Sequence, residues 1–203
     1  MERPTVSDTP SGAGRLLQVA LAEFRCALRT VSLLAAGRLK LPTAEVGRVV
    51  RFADGSTSTV YRETALVGGS ADPDTVIAVK FRLRLVGTNR LLHALFRAES
   101  ILNTVLFAGH TGFRTKLWIT DLDTGVYRGI YEWSGRDAAV RYAEVLRVVL
   151  APWAQKGSFD YRVVAAPDRA PYLAGWPAPA GEEDDGWWRP VAESTVSGTG
   201  GGP

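Results

Sequence analysis

One cysteine and two histidines in 203 residues close off several kinds of chemistry at once. Cys26 alone cannot form an intramolecular disulfide, a thiolate zinc site or an iron–sulfur cluster. His93 and His110 alone cannot build a multi-histidine metal centre. A haem needs a single histidine, but no c-type attachment motif is present. No GxGxxG or GxxxxGK[ST] loop follows a strand-like run, and there is no GxSxG elbow. The expectation is therefore no organic cofactor and no metal, with any catalysis resting on side-chain acid–base chemistry, charge stabilisation and shape. Long apolar runs are also lacking. Glu23, Arg25 and Arg29 interrupt the best candidate, which has neither the basic start nor the cleavage site of a signal peptide. A cytoplasmic chain without a membrane span is expected.

What remains is an ordinary globular composition, 46% hydrophobic and 22% charged, long enough for one core that needs no covalent staple. Lysine is scarce, four against twenty arginines, a bias of genomic base composition as much as of chemistry. The net charge of +3 is unevenly spread: +1 over residues 1–75, +6 over 76–165 and −4 over 166–203. An anionic ligand belongs with the middle part.

Residues 1–13 have no apolar periodicity and are expected to be disordered. Residues 14–75 form an N-terminal helix plus a β-hairpin. The helix runs from Gly14 to about Leu39, with Gln18, Arg25, Arg29 and Ser32 on one arc and Leu16, Ala20, Phe24, Ala27, Val31 and Leu34 on the other. That apolar arc suits packing on the chain's own domain or on a partner better than a membrane surface, because the basic face is thin. Asp54-Gly55 joins the strand-like runs 46–52 and 57–67 as a hairpin.

Residues 76–165 read β-α-β-β-α-β: a strand over 76–86, a helix from Thr88 or Asn89 to about Phe107, strands over 114–120 and 126–133, a helix opened by the capping-box pattern Ser134-Gly135-Arg136-Asp137 and running to about Leu150, and a strand over 159–164. The fold class is thus α+β, a ferredoxin-like unit. Residues 166–203 are a Pro/Gly-rich acidic tail in which Trp187-Trp188 must dock somewhere, since tandem exposed indoles are costly.

Two helices on one sheet face leave the other bare. The helix-covered face is expected to carry Ile77, Val79, Phe81, Leu83, Leu117, Ile119, Tyr127, Gly129, Tyr131, Phe159, Tyr161 and Val163. The bare face then carries Lys80, Arg82, Arg84, Lys116, Trp118, Arg128, Ile130, Glu132, Asp160 and Arg162. One possible cover is RNA, but Ile130 and Glu132 stand where an RNA-recognition motif stacks aromatics. The other is a second sheet, enclosing a barrel with room for a small molecule.

The hairpin run GFRTKLWITDLDTGVYRGIYEW, followed by a helix containing Ala138, Ala139 and Tyr142, resembles the dimeric α+β barrel superfamily. It is similar in particular to small bacterial proteins assigned as monooxygenases, through Phe113, Lys116, Trp118, Gly129, Tyr131 and Trp133. The resemblance covers about 76–165. It implies an α+β barrel, a homodimer, and a cofactor-free oxygenase, cyclase or isomerase of aromatic or polyketide-like metabolites, or a haem enzyme. The N-terminal segment and the tail depart from the minimal family pattern, and either caps the barrel or supplies its second half.

Candidate catalytic residues are Glu99, Asn103 and His110. Glu99 and Asn103 lie one turn apart on the apolar arc of the first ferredoxin-unit helix, with Leu92, Phe96 and Leu106. Glu99 is then either a general base or acid with Asn103 as its orienter, or an ion-pair partner of Arg82 or Arg128. His110, in a loop beside two glycines, is either an acid–base group or simply exposed. The candidate substrate-binding residues are Lys80, Arg82, Lys116, Trp118, Arg128 and Glu132, the cations holding a carboxylate or enolate and Trp118 stacking on a ring. The alternative is cross-strand pairing of the cations with Glu132 and Asp160. The functional expectation is a small-molecule enzyme working on an apolar, enolisable or anionic metabolite. A non-catalytic carrier using the same cavity is the alternative, and an RNA-binding module the third reading.

Overall fold

The computed structural model describes residues 12–68, 71–84, 104, 107–180 and 184–192. Helix α1 spans Gly12–Ala35, followed by the short strands β1 (Leu39–Lys40) and β2 (Val49–Arg51) and the long β3 (Thr57–Leu66). Strands β4 (Thr75–Arg82), β5 (Phe113–Asp121) and β6 (Val126–Trp133), helix α2 (Arg136–Leu150) and β7 (Asp160–Ala165) complete the central unit. The five-residue helix α3 (Arg169–Leu173) follows.

All pairings are antiparallel, in one seven-stranded sheet ordered β1-β3-β5-β6-β4-β7, with β2 on β3. Within it β7-β4-β6-β5 is the 4-1-3-2 order of a ferredoxin-like fold. The Asp54-Gly55 hairpin forms as expected, with Gly55 at φ 82° and Asp54 Oδ1 accepting the Ser56 amide. It extends the sheet on the β5 side. The single chain makes an open sheet.

Helix α2 starts where expected, but not by a capping box. Gly135 occupies the N-cap position at φ 97° with no side-chain cap. Ser134 is diverted: its hydroxyl accepts from Arg114 Nε at 2.8 Å and donates to the Ala71 carbonyl at 3.1 Å. Asp74 Oδ1 takes the Gly135 amide at 2.8 Å.

The largest correction concerns the sheet faces. Ile77 and Val79 face the helix side with Tyr131, as expected, but β5 is turned over. Its register with β6 pairs Lys116 with Tyr131 and Trp118 with Gly129, so Lys116 and Trp118 lie on the helix side. Leu117 and Ile119 lie on the other face with Ile130. Aliphatic content could not choose the phase, because both faces are apolar. The face expected to be bare is covered by the chain's own Phe52, Tyr172, Leu173, Trp187 and Trp188. Neither a second sheet nor stacked bases find this surface open.

The tail reaches that face by pairing with the β2 end of the hairpin. Ala53 donates to the Arg189 carbonyl at 2.9 Å, Val191 donates to the Arg51 carbonyl at 3.0 Å, and Phe52 bridges Pro190. Gly186, at φ 69°, lets the chain pass so close that a methyl group there would lie 2.7 Å from the Asp54 nitrogen. Trp187 is 1% exposed, so Trp187→Ala should cost about 3–5 kcal/mol in urea denaturation. Trp153→Ala, at a tryptophan 63% exposed, should cost less than about 0.5 kcal/mol.

Candidate functional site

Between the helix side of the sheet and helices α1 and α2 lies a continuous layer of rings. Phe107 meets Phe113, Trp118 and Tyr131 at centroid distances of 5.1, 5.4 and 6.2 Å. Tyr131 then meets Tyr142 of α2 at 5.3 Å, and Tyr142 meets Trp133 at 4.9 Å and His110 at 5.4 Å. Alternation on β5 and β6 puts Trp118, Tyr131 and Trp133 on this side. Gly129 makes room for it, since a methyl group there would sit 2.6 Å from the Tyr131 ring.

One end of the layer holds His110. Gly109 brings the loop against α1: a methyl group on it would lie 2.0 Å from the Cys26 carbonyl oxygen and 2.9 Å from the Thr30 hydroxyl. This approach sets His110 Nε2 3.1 Å from Glu23 Oε1, with the Cys26 thiol interacting with the same imidazole. Burial alone would lower the pKa of the ring. Cys26 and Glu23 outweigh burial and push it up to about 9, so the ring is an imidazolium at neutral pH. Around it, Glu23 Oε2, Tyr142 Oη and Trp133 Nε1 are buried without a hydrogen bond of good geometry. Buried polar atoms are normally satisfied, so three of them round one imidazolium can reward a polar group of a bound molecule.

The other end holds Lys116, 5% exposed. Its Nζ lies 3.1 Å from the Trp118 ring centroid, 4.3 Å from that of Phe107 and 4.7 Å from that of Tyr131. Trp118 is fixed in turn by its Nε1–H, donated to Thr64 Oγ1 at 3.1 Å. Among the described residues no carboxylate pairs with this amine. Burial, assisted by the nearby Arg62 guanidinium, holds its pKa well below the usual lysine value.

The remaining sequence candidates lie elsewhere. Lys80, Arg82 and Arg128 come together on the opposite face, in a cleft of about 410 Å³ that also contains Asp54, Asp121 and Asp160. Arg128 is already engaged there: it donates to Ser58 Oγ at 2.6 Å and Ser56 Oγ at 2.7 Å and packs on the Phe52 ring at 4.4 Å. Lys80 lies over Trp187 at 4.5 Å. Glu132, on the same face, accepts the Arg169 amide at 2.7 Å and the Thr115 hydroxyl, which anchors α3 to the sheet. Glu99 and Asn103 lie outside the described residues.

The six proposed ligand-binding residues therefore divide between two faces, with Lys116 and Trp118 alone sharing a layer with His110. Sequence reasoning missed Glu23, Tyr142 and Trp133 as members of that layer. The spacing Glu23, Cys26, Thr30 along one helix face was the available signal for the first.

No protein-family model and no curated protein matches the chain. Among solved structures it is similar to a heme-degrading enzyme from Listeria monocytogenes, at 10% identity and TM-score 0.37, over 62% of this chain and 95% of that one. It is also similar to a monooxygenase-like protein from Listeria innocua, at 12% identity and TM-score 0.36, over 70% and 87%. A third is an uncharacterized ferredoxin-fold protein related to antibiotic biosynthesis monooxygenases, from Listeria monocytogenes, at 11% and 0.34, over 68% and 88%. Likenesses of this size say nothing of the chemistry. The ferredoxin-like fold stands on the strand order.

The raised His110 pKa has a testable consequence for stability. The folded chain holds this proton more tightly than the unfolded chain does, so its contribution is complete below about pH 6.5 and is lost as pH rises through about 9. Glu23→Gln should therefore lower the melting temperature most at pH 6, by the equivalent of about 2 kcal/mol, and hardly at all at pH 10. A difference from wild type that stays constant over this range would refute the pairing.

Proposed function

We propose that the chain is a small-molecule enzyme that moves a proton on an apolar, enolisable substrate held in the aromatic layer. The observation that carries this reading is the Lys116 amine, walled by Trp118, Phe107 and Tyr131 and with no carboxylate partner among the described residues. A buried amine without an anion is costly to the fold unless it serves a purpose. Deprotonated, it is a base in an apolar wall. The imidazolium of His110 in the same layer supplies the opposite function, a proton donor or a charge for an oxyanion. Two titratable groups whose surroundings drive them apart are the arrangement general acid–base catalysis needs.

In this scheme the rings hold the apolar body of the substrate and Lys116 Nζ takes a proton from carbon next to a carbonyl. The resulting enolate oxygen is met by His110, with Tyr142 and Trp133 as further donors. Such an enolate is the common first product on the way to isomerisation, cyclisation or cofactor-free oxygenation. Of the residues singled out from sequence, His110, Lys116 and Trp118 take part; Lys80, Arg82, Arg128 and Glu132 serve the opposite face. A carrier that binds such a molecule without converting it would use the rings and leave the carbon-bound hydrogens in place.

Deuterium uptake next to the carbonyl of bicyclic aryl ketones in D₂O, followed by NMR, separates these readings. Wild type should exchange faster than buffer. Lys116→Met should lose at least about 100-fold and His110→Asn at least about tenfold. Because the methionine removes an unpaired buried amine, that variant should be at least as stable as wild type, so lost exchange cannot be blamed on unfolding. Unchanged exchange in Lys116→Met would overturn the assignment.

A further inference from the structure

Helix α1 carries a second pattern, facing away from the site. Leu17, Leu21, Phe24, Leu28 and Val31 follow one another at intervals of four, three, four and three residues, and all are 49–63% exposed. This is the a/d seam of a coiled coil, continued at its margin by Leu34, 51% exposed. The buried residues Cys26, Thr30 and Leu33 lie on another face of the helix, toward the domain. The apolar arc expected to pack inward thus points outward. We propose that this stripe is the dimerisation surface of the protein, two α1 helices from two copies of the chain packing seam to seam.

Several observations favour a second copy over other occupants. The heptad interval is self-complementary, as a two-fold interface requires. Ala20 and Ala27 fill successive g positions beside the seam and let two helices approach closely, while Gln18, Arg25 and Ser32 fill the e positions. A membrane-surface helix needs basic side chains along both margins, and the alanine margin has none. Six half-exposed side chains of this size present roughly 500 Å², so two copies bury roughly 1,000 Å², where specific interfaces begin. The other route to a dimer, sheet face on sheet face, meets the chain's own Trp187 and Trp188. The helix seam is independent of the catalytic reading above.

Sedimentation velocity of the full chain between about 1 and 100 µM tests the proposal, with the double variant Leu21→Lys/Leu28→Lys as its partner experiment. Wild type should sediment as a dimer. The variant should sediment as a monomer with an unchanged far-ultraviolet circular dichroism spectrum, its dissociation constant raised at least about 100-fold. A wild-type monomer across the range overturns the proposal, and so does a variant that remains dimeric. Wild type that is monomeric alone yet floats with vesicles of phosphatidylglycerol and phosphatidylcholine would assign the stripe to a membrane surface instead.

Discussion

A sheet that is apolar on both faces has to be covered on both faces, and this constraint organises the whole molecule. Every residue of β6 is buried, whichever side it points to. Helices supply one cover, and the C-terminal segment supplies the other with two tryptophans, a tyrosine and a leucine. The charged residues left under the second cover then need fixed partners. Arg128 finds two serine hydroxyls, and Glu132 finds the first amide of α3 and a threonine. These groups are committed to closing the fold, which leaves the helix side as the place where polar chemistry stays unspent.

On that side, burial acts on two bases with opposite results. Taking a cation out of water penalises it in both cases. His110 has a carboxylate at 3.1 Å and a thiol beside it, and its charged form wins. Lys116 has three ring faces and a guanidinium in the vicinity, and its charged form loses. Ring faces attract an ammonium, but each contributes only about 0.5–2 kcal/mol, less than the several kcal/mol that desolvation of an ion costs. The missing carboxylate therefore decides the sign. One layer thus holds a proton donor and a proton acceptor without either residue leaving its ordinary chemistry.

The β-α-β-β-α-β order, the Asp-Gly hairpin and the burial of Trp187-Trp188 were legible because each rests on local signals: period-two alternation, turn chemistry, and the cost of exposing indoles. The face of β5 was not. Alternation gives a strand two phases, and choosing between them by aliphatic content presupposes one wet face. With both faces dry, only the register with β6 decides, and the pairing of Trp118 with Gly129 is a non-local fact. For the same reason Lys116 read as one cation among several on a solvated surface. Glu23 was invisible as a partner of His110 because 87 residues separate them. The small residue that brings them together, Gly109, looks in sequence like an ordinary loop glycine.

Helix α1 joins these two aspects of the molecule. Its inward face presents mainly small or polar groups: the Cys26 thiol, the Thr30 hydroxyl, the Glu23 carboxylate and one buried leucine, Leu33. Such a face buries little apolar area, and area is what holds a helix to a sheet. Yet this helix sets the distance between Glu23 and His110, and hence the charge of the imidazole. A helix whose inner face is given over to positioning a carboxylate must find its packing energy elsewhere, and its large apolar residues are all on the outside. The outward seam and the inward carboxylate are therefore two halves of one arrangement: what braces the outer face of α1 also steadies the proton on His110.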